Sequence, residues 1–346
     1  MRLRTLLLAL AVLAPLCLPA GIVRADARGS WRQSLYPVDV NGRWGYIDAA
    51  GRVVIAARYE EAAYFSEGLA AVRENGKYGY IDRKGAWVIP PRYRYAFNFR
   101  EKLAWVEGEP SGFIDRKGRI VVPAPPNGFC REFREGLAKV TPVEQEGEYR
   151  GAAPKIGFID RAGTLVIPAR FEQAWDFADG LAAVKLDDKW GFIDRAGRVV
   201  IAPRFDSASY FSEGAAAVTE HGETLFIDRA GRPLFGSGFE DGAGFSEGLA
   251  PIKLGGKWGY IGKAGKIAVR PQFDEAQAFF SGRAAIKLRD RYGYIDRKGT
   301  VIVPPAYGYA HFFLGDLAGV TLHPERSNGA GTIYLNRAGK AVWGVQ

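Results

Sequence analysis

The sequence is poor in the residues that most often build metal, redox and catalytic sites. Its 346 residues include three histidines, two cysteines and one methionine. The histidines His221, His311 and His323 fall at unrelated points, and no phosphate-binding loop or Ser-His-Asp set stands out. We therefore expect no catalytic residues, no cofactor and no metal site, and an enzyme built from scattered loops is kept only as a third alternative.

Long apolar runs are equally scarce. The one candidate, Leu6 to Leu18, is too short to span a membrane comfortably and follows Arg2 and Arg4. Ala25-Asp26-Ala27 then supplies small residues where a signal peptidase reads. We predict a signal peptide at residues 1–27, a mature start near Arg28, a short lead at 28–34 and a periplasmic or secreted protein with no transmembrane segment after cleavage.

Cysteine pairing is excluded once the signal peptide is removed. Cys17 lies inside the apolar run, so Cys130 alone remains and no intramolecular disulfide can form. Cys130 also occupies a position that alanine fills in most other copies of the repeat described below. We interpret it as a small buried residue, since free cysteine behaves as a small hydrophobe.

The overall composition is that of a folded, mildly basic protein. Hydrophobic residues make up 47% of the chain, charged residues 25%, and the net charge is +9. This balance excludes a disordered chain and suits contact with anionic envelope polymers, although a solubilising charge explains it equally well. Export argues against nucleic acid as a partner.

The most informative feature is an internal repeat of about 34 residues. Two independent landmarks recur with nearly one period, an Asp at a turn and a Phe before a small-residue run. The turn position is held by Asp48, Asp82, Asp115, Asp160, Asp194, Asp228, Gly262, Asp296 and Asn336. The second landmark is held by Phe65, Phe99, Phe133, Phe177, Phe211, Phe245, Phe279 and Phe313.

Each unit has three apolar runs, which predict three strands named a, b and c. They are typified by Leu69 to Val72, Tyr78 to Ile81, and Val53 to Ile55. Between b and c, a segment such as Asp82-Arg83-Lys84-Gly85 predicts a type I turn followed by a left-handed glycine. The Asp row could instead bind calcium, but its turn role already explains it.

Strand b is apolar on both faces, because an aromatic residue and then Ile or Leu precede the turn in every unit. A strand of this kind must be covered on both sides, so neighbouring units are expected to pack together. The connector after strand c, such as Pro168 to Phe177, fits either a single helical turn or an irregular segment. Most insertions fall between strands a and b, the largest at Thr141 to Lys155, and such loops often form a binding edge.

At strand b the chain resembles the bacterial WG-repeat family, named for a Trp-Gly pair. The pair is intact at Trp44-Gly45, Trp190-Gly191 and Trp258-Gly259, and the resemblance covers residues 35 to 346. Other copies drift, and Thr224-Leu225 and Thr332-Ile333 keep neither residue. The resemblance implies a β-rich binding or scaffold module and brings no catalytic residues.

For the architecture we predict an all-β protein of nine tandem three-stranded antiparallel units in an open solenoid-like or superhelical array. A closed β-propeller is the alternative. The open array is favoured because 34 residues is short for a propeller blade, nine units exceeds the usual number, and the units end at whole-unit boundaries.

For function we predict a non-enzymatic scaffold for protein–protein interaction, with a binding module for glycan or anionic envelope polymer as the alternative. A basic row at the hairpin tips could track an acidic polymer, or could be a row of solvated turn residues. Most aromatics recur at core-like positions, so only variable ones are candidates for a surface. The candidate interaction residues are Arg83, Lys84, Arg116, Lys117, Arg297, Lys298, Trp105, Trp175 and Tyr149.

Overall fold

The computed structural model describes residues 34–125, 128–142, 155–236, 238–323 and 331–344. Within these ranges the regular elements are all β-strands, as predicted, and no helix is long and apolar enough to cross a lipid bilayer. The predicted signal peptide, the mature start near Arg28 and almost all of the lead lie outside the described residues. Tyr149 and most of the segment from Thr141 to Lys155 lie outside them as well.

The strands form nine small antiparallel sheets, called blades 1 to 9, in chain order. Seven blades have four strands, because a short strand precedes the predicted strands a, b and c. The predicted three-stranded unit is therefore wrong for these seven. The preceding strands, called inner strands, are β4 Glu61–Ala62, β8 Tyr95–Ala96, β12 Gly128–Arg134, β16 Gln173–Ala174, β20 Ser207–Ala208, β23 Asp241–Gly242, β27 Glu275–Ala276 and β31 Tyr309–Ala310.

The a and b strands form the central hairpin of every blade. The a strands are β1 Tyr36–Val40, β5 Ala70–Glu74, β9 Ala104–Glu107, β13 Leu137–Pro142, β17 Leu181–Leu186, β21 Ala216–Glu220, β24 Leu249–Leu254, β28 Arg283–Leu288 and β32 Leu317–Thr321. The b strands are β2 Arg43–Ile47, β6 Lys77–Ile81, β10 Gly112–Ile114, β14 Ile156–Ile159, β18 Lys189–Asp194, β22 Glu223–Ile227, β25 Lys257–Gly262, β29 Arg291–Asp296 and β33 Ile333–Asn336.

The c strands form the far edge of the sheets. They are β3 Val53–Tyr59, β7 Trp87–Tyr93, β11 Ile120–Pro123, β15 Leu165–Phe171, β19 Val199–Phe205, β26 Ile267–Phe273, β30 Val301–Tyr307 and β34 Ala341–Trp343. Blade 6 has no c strand among its described residues and blade 1 has no inner strand among its own.

The connector after strand c forms no helical turn; it is extended over most of its length and irregular at its end, from Trp175 to Phe177. In blade 4 strand c runs through Pro168 to Phe171, and Gln173–Ala174 then pairs with strand a of blade 5. The segment therefore ends one sheet and begins the next.

The predicted b–c turn is confirmed. The nine glycines at its last position have φ between 75° and 84°, a region that other residues resist. At Asp194, for example, Oδ1 accepts hydrogen bonds from the backbone N–H groups of Ala196 and Arg198, both at 2.9 Å. The N–H and guanidinium of Arg198 hold the pKa of that carboxyl below its ordinary value. The turn role assigned to the Asp row is thus the observed one.

The two sequence landmarks meet at the joints between blades. The aromatic residue of each strand b contacts the landmark Phe of the following blade, with ring centroids 4.5–5.4 Å apart. Such tilted and edge-on contacts add to the energy of apolar burial. The pairs are Tyr46–Phe65, Tyr80–Phe99, Phe113–Phe133, Phe158–Phe177, Phe192–Phe211, Phe226–Phe245, Tyr260–Phe279 and Tyr294–Phe313.

The ninth joint closes the array into a ring, so the predicted open solenoid is wrong and the chain is a nine-bladed β-propeller. Tyr36 of blade 1 donates its hydroxyl to the carbonyl of Leu314 at 2.7 Å, and Tyr334 of blade 9 donates to the carbonyl of Pro37 at 2.8 Å. Their rings lie 5.7 Å apart within a shared cluster that also buries Val38. In the described part of the chain, closure relies on side-chain packing and hydrogen bonds rather than on a shared strand. A two-residue inner strand lets 34 residues complete a blade.

The alternation of antiparallel strands gives the ring two rims. Turns between b and c, and those between the inner strand and a, lie on one rim, called the tip rim. The a–b turns and the corners between blades lie on the other, called the loop rim. The inner strands form the edge of each sheet opposite the c strands, which is the edge that faces the axis in a propeller.

Candidate functional site

The predicted basic tips lie on the tip rim, and their first residues are used to join blades. In blade 4 the guanidinium of Arg161 meets Glu101 Oε2 of blade 3 at 2.6 Å, and in blade 7 Lys263 meets Glu213 of blade 6 at 3.0 Å. Arg297 donates to the carbonyl of Glu247 at 2.6 Å. This position of the tip therefore clamps the preceding blade.

The six predicted basic residues divide according to their place in the turn. Arg83, Arg116 and Arg297 stand at the clamping position, whereas Lys84, Lys117 and Lys298 follow it and are exposed. The Arg116 guanidinium, for instance, lies 3.4 Å from where a Cβ on Gly68 of blade 2 would stand. The basic row is present, but its residues at the clamping position contact the preceding blade.

Carboxylates share the tip rim with these bases, which the sequence motif alone did not reveal. The acidic residue before strand a accepts a hydrogen bond from a backbone N–H in the equivalent turn of the next blade, at 2.8–3.1 Å. The tip rim therefore alternates in sign. The acceptors are Glu67, Glu101, Glu135, Asp179, Glu213 and Glu247.

Cys130 and the candidate aromatics occupy different environments. Cys130 is buried in blade 4 as predicted, and burial raises the pKa of its thiol to about 12. Trp105 is only 2% exposed, so it belongs to the interior more than to the surface. Trp175 is 42% exposed, stacks on Trp190 with centroids 6.2 Å apart, and donates its indole N–H to the carbonyl of Ala208.

A cluster of charged side chains lies near the axis in blades 3 to 5. Arg100 and Arg134 both contact Glu132, at 2.9 and 3.1 Å. Lys139 lies 4.0 Å from Asp176, whose pKa is raised by burial, with the lysine opposing that shift. Because each carboxylate has a basic neighbour, the cluster stabilises the joints between these blades.

The outer edge of the ring carries exposed apolar residues that sequence reasoning missed. Ten aliphatic side chains in the first halves of the c strands are 41–56% exposed. The sequence identified these positions only as the apolar run of strand c. They form the outer apolar belt, which consists of Val53, Val54, Val88, Val121, Leu165, Val166, Val199, Val200, Ile267 and Val301.

A cavity of about 820 Å³ opens where blades 2, 3 and 4 meet at the loop rim. Its walls include three basic residues, Lys77, Arg92 and Arg94, and the aromatic side chains of Trp105 and Phe129. Of the nine candidate residues predicted from sequence, Trp105 lines it. A second cavity, of about 500 Å³, lies on the tip rim against Arg229 and the turn carboxylates.

Comparison with known proteins adds a family and a fold. A family model described as WG containing repeat matches residues 44–78, 78–107, 156–190, 190–223, 226–258, 258–292 and 292–322. No curated protein matches the sequence.

Solved structures with a similar fold share little sequence. A eukaryotic initiation factor aligns with a TM-score of 0.60 at 12% identity, covering 90% of this chain and 95% of that one. AztD from Citrobacter koseri reaches 0.42 at 10% identity, covering 78% and 93% of the two chains. The dihydro-heme d1 dehydrogenase NirN reaches 0.41 at 14% identity, covering 82% and 75%. Identities this low bear on the fold alone.

Proposed function

The chain belongs to the WG-containing-repeat family, and from that premise we propose that it is an exported, non-enzymatic scaffold that binds a partner protein through the outer edge of its ring. The observation that carries the proposal is the outer apolar belt. Exposed aliphatic residues are ordinary when scattered singly, but here they recur at the same two positions of strand c in blade after blade.

The belt has the chemistry of a protein-binding edge. Each c strand is the last strand of its sheet, so one side of its backbone has no neighbouring strand to pair with. A partner strand or loop laid along such an edge gains main-chain hydrogen bonds and buries aliphatic side chains at the same time. Paired residues such as Val199 and Val200 provide the apolar part of that contact.

The non-enzymatic part of the proposal is supported by what the reactive groups already do. Turn aspartates accept backbone N–H groups, and the Cys130 thiol is buried with a raised pKa. Tyrosine hydroxyls of strand b donate to backbone carbonyls of the next blade, as Tyr80 does to Phe97 at 2.7 Å. These groups stabilise the ring.

The scaffold role is tested by affinity capture from native envelope extract. A belt variant, with Val53, Val54, Val199 and Val200 each replaced by Ser, is expected to lose the captured proteins because its edge no longer excludes water. The matched control replaces Leu254 and Leu322 by Ser; these are 44% and 52% exposed but lie outside the belt. Capture that is equal for the belt variant and the control contradicts the proposal.

Export is tested separately by cell fractionation and N-terminal sequencing. We expect the protein in the periplasm or the medium with a first residue near Arg28. Recovery of the full-length chain from the cytoplasm contradicts this part of the proposal and leaves the belt experiment unaffected.

A further inference from the structure

On the loop rim the corners that lead out of blades 4, 5 and 7 follow the same charge rule. The lysine that starts strand b forms an ion pair with an acidic residue at the corner leading into the next blade. The distances are 3.5 Å for Lys155–Glu172, 2.5 Å for Lys189–Asp206 and 2.6 Å for Lys257–Asp274. In each pair the acid follows the lysine by 17 residues.

The acidic residue at the corner also forms a hydrogen bond within the blade that follows it. Its carboxylate accepts a backbone N–H from the a–b turn of that blade, as Glu60 does from Gly76 at 3.1 Å and Glu240 from Gly256 at 2.9 Å. Asp274 accepts from Arg289 at 2.8 Å. One carboxylate thus neutralises a lysine and orders a loop.

The corner between blades 2 and 3 breaks both parts of this rule. The residue 17 positions after Lys77 is Arg94, so a second cation stands where the acid belongs. In the a–b loop of blade 3, the N–H of Gly108 instead donates a hydrogen bond to the hydroxyl of Ser111, at 3.1 Å. A carboxylate is missing at this corner, and positive charge has accumulated there.

The cavity described above lies at this same corner. Lys77, Arg92 and Arg94 line it together with Glu107 and Glu109. Arg92 already donates to the carbonyl of Gly118 at 2.5 Å, and Arg94 lies 3.4 Å from the Glu107 carboxylate, so Lys77 and Arg94 are the bases that face a ligand. Its volume of about 820 Å³ is within the range of sites that enclose small organic ligands. Basic side chains grouped in a concave site attract and orient a carboxylate.

The remaining walls indicate what is attached to that carboxylate. Trp105 stands where other blades have alanine, such as Ala71 and Ala183, and makes an apolar wall with Phe129 at a centroid distance of 5.8 Å. Its indole N–H is buried and has no partner among the described residues. Glu109 adds a hydrogen-bonding group to the lining, whereas the hydroxyl of Ser111 is already bonded to the backbone of Gly108. The combination suits a hydroxylated ring that carries an acid group.

We infer that the cavity between blades 2, 3 and 4 binds an acidic sugar, whose carboxylate takes the place of the missing corner acid beside Lys77 and Arg94. The sugar's hydroxyls meet Glu109, and its ring lies against the apolar wall. This site is separate from the outer apolar belt, so either can fail without the other.

The test is calorimetric titration of the purified mature chain with glucuronate, galacturonate, a galacturonate oligomer, glucose and inorganic phosphate. We expect the uronates to bind at least tenfold more tightly than glucose or phosphate, and more weakly as salt rises. An oligomer that binds more than tenfold tighter than the monomer identifies a polymer as the source of the sugar, and equal affinity identifies the free monosaccharide. Glucose or phosphate binding as well as the uronates overturns the inference, as does no uronate binding in either form.

The deciding variant is Arg94→Glu, which restores the corner acid found elsewhere in the ring. The new carboxylate pairs with Lys77, so the fold is kept while uronate affinity falls at least tenfold. Lys298→Glu makes the same change of charge on the opposite rim and should leave affinity within twofold. Equal uronate affinity in wild type and Arg94→Glu overturns the inference.

Discussion

Blades 5 and 6 are neighbours of equal repeat length, yet only blade 5 has a complete outer strand. In blade 5, strand b contains Trp190-Gly191, and strand c runs from Val199 to Phe205. A Cβ on Gly191 would lie 2.6 Å from the carbonyl oxygen of Ile201 and 2.7 Å from the nitrogen of Pro203. Strand c therefore crosses so close to Gly191 that no side chain fits between them.

In blade 6 the equivalent pair is Thr224-Leu225, and the crossing is lost. Thr224 still exchanges backbone hydrogen bonds with Phe239, at 2.8 and 2.9 Å, just as Trp190 is paired with Phe205. Between these ends no c strand forms in the described residues, and Leu225 packs against the core shared by blades 5 and 6.

The two residues of the Trp-Gly pair have different roles. Glycine at the second position accompanies a c strand of at least four residues in all seven blades that have it. The first position is held by Trp44, Tyr78, Ser111 and Ile156 in blades 1 to 4 without loss of that strand. Glycine is thus an architectural requirement, whereas Trp contributes packing.

The largest effect is expected when blade 5 is given the leucine of blade 6. Gly191→Leu should lower the free energy of unfolding by about 3 kcal/mol or more, because the new side chain meets backbone that cannot move aside. Urea denaturation measures the loss, and amide exchange should quicken at residues 199–205. Trp190→Tyr is the control, with a loss of about 1 kcal/mol, since Tyr78 and Tyr292 hold that position. Slow exchange at 199–205 in Gly191→Leu would refute the steric account.

A smaller effect is expected from the reverse exchange in blade 6. Replacing Thr224-Leu225 by Trp-Gly should slow amide exchange at residues 234–236, because strand c can then approach strand b. Stability should change by only about 1 kcal/mol, since new hydrogen bonds offset the loss of Leu225 packing and the added freedom of glycine. Thr224→Trp alone, which keeps Leu225, should leave exchange unchanged. Unchanged exchange in the double variant would show that more than Leu225 blocks the strand.

The smallest effect concerns the loop rim, where the two blades also differ. In blade 5 Lys189 pairs with Asp206, and this hydrogen bond lowers the pKa of Asp206 below its ordinary value. In blade 6 the same two positions are both acidic, Glu223 and Glu240. Because the folded pKa of Asp206 is lowered, its contribution to stability is present above the unfolded pKa and lost as pH falls through the folded one.

Lys189→Gln should therefore raise the pKa of Asp206 toward about 3.9, as followed by a carboxyl NMR titration. Lys189→Arg serves as the control that keeps the charge, and it should hold the pKa low. An Asp206 pKa that is the same in wild type and Lys189→Gln would mean that the ion pair does not set it.

Local features of the fold were predictable from sequence because they depend on a few adjacent residues. The left-handed glycine at Gly197 and the capping aspartate at Asp194 follow from turn chemistry. Ring closure was not predictable, because it depends on the angle between neighbouring blades added over nine joints. The residues at one joint do not reveal that total. Tyr36 and Tyr334 are distant in sequence, and their contact has no local pattern.

The candidate surfaces were also only partly predictable from the sequence. The apolar run from Val53 to Ile55 predicted strand c but not the exposure of its residues; a bulge in the pairing of strands b and c leaves Val53 and Val54 exposed while Ile55 is buried. Arg94 is visible in the sequence as a basic residue. Its meaning comes only from the structure, which shows that this corner holds a carboxylate in other blades.

Closure between blades 1 and 9 also fixes how the protein can change its length over evolution. An open stack of repeats can gain or lose one copy by unequal recombination, and the remaining copies keep their packing. A ring of nine turns by about 40° at each joint, and a ring of eight by about 45°. Loss of one unit would therefore require a new angle at every remaining joint at the same time. We therefore expect the number of repeats to stay fixed, because single units cannot be lost one by one.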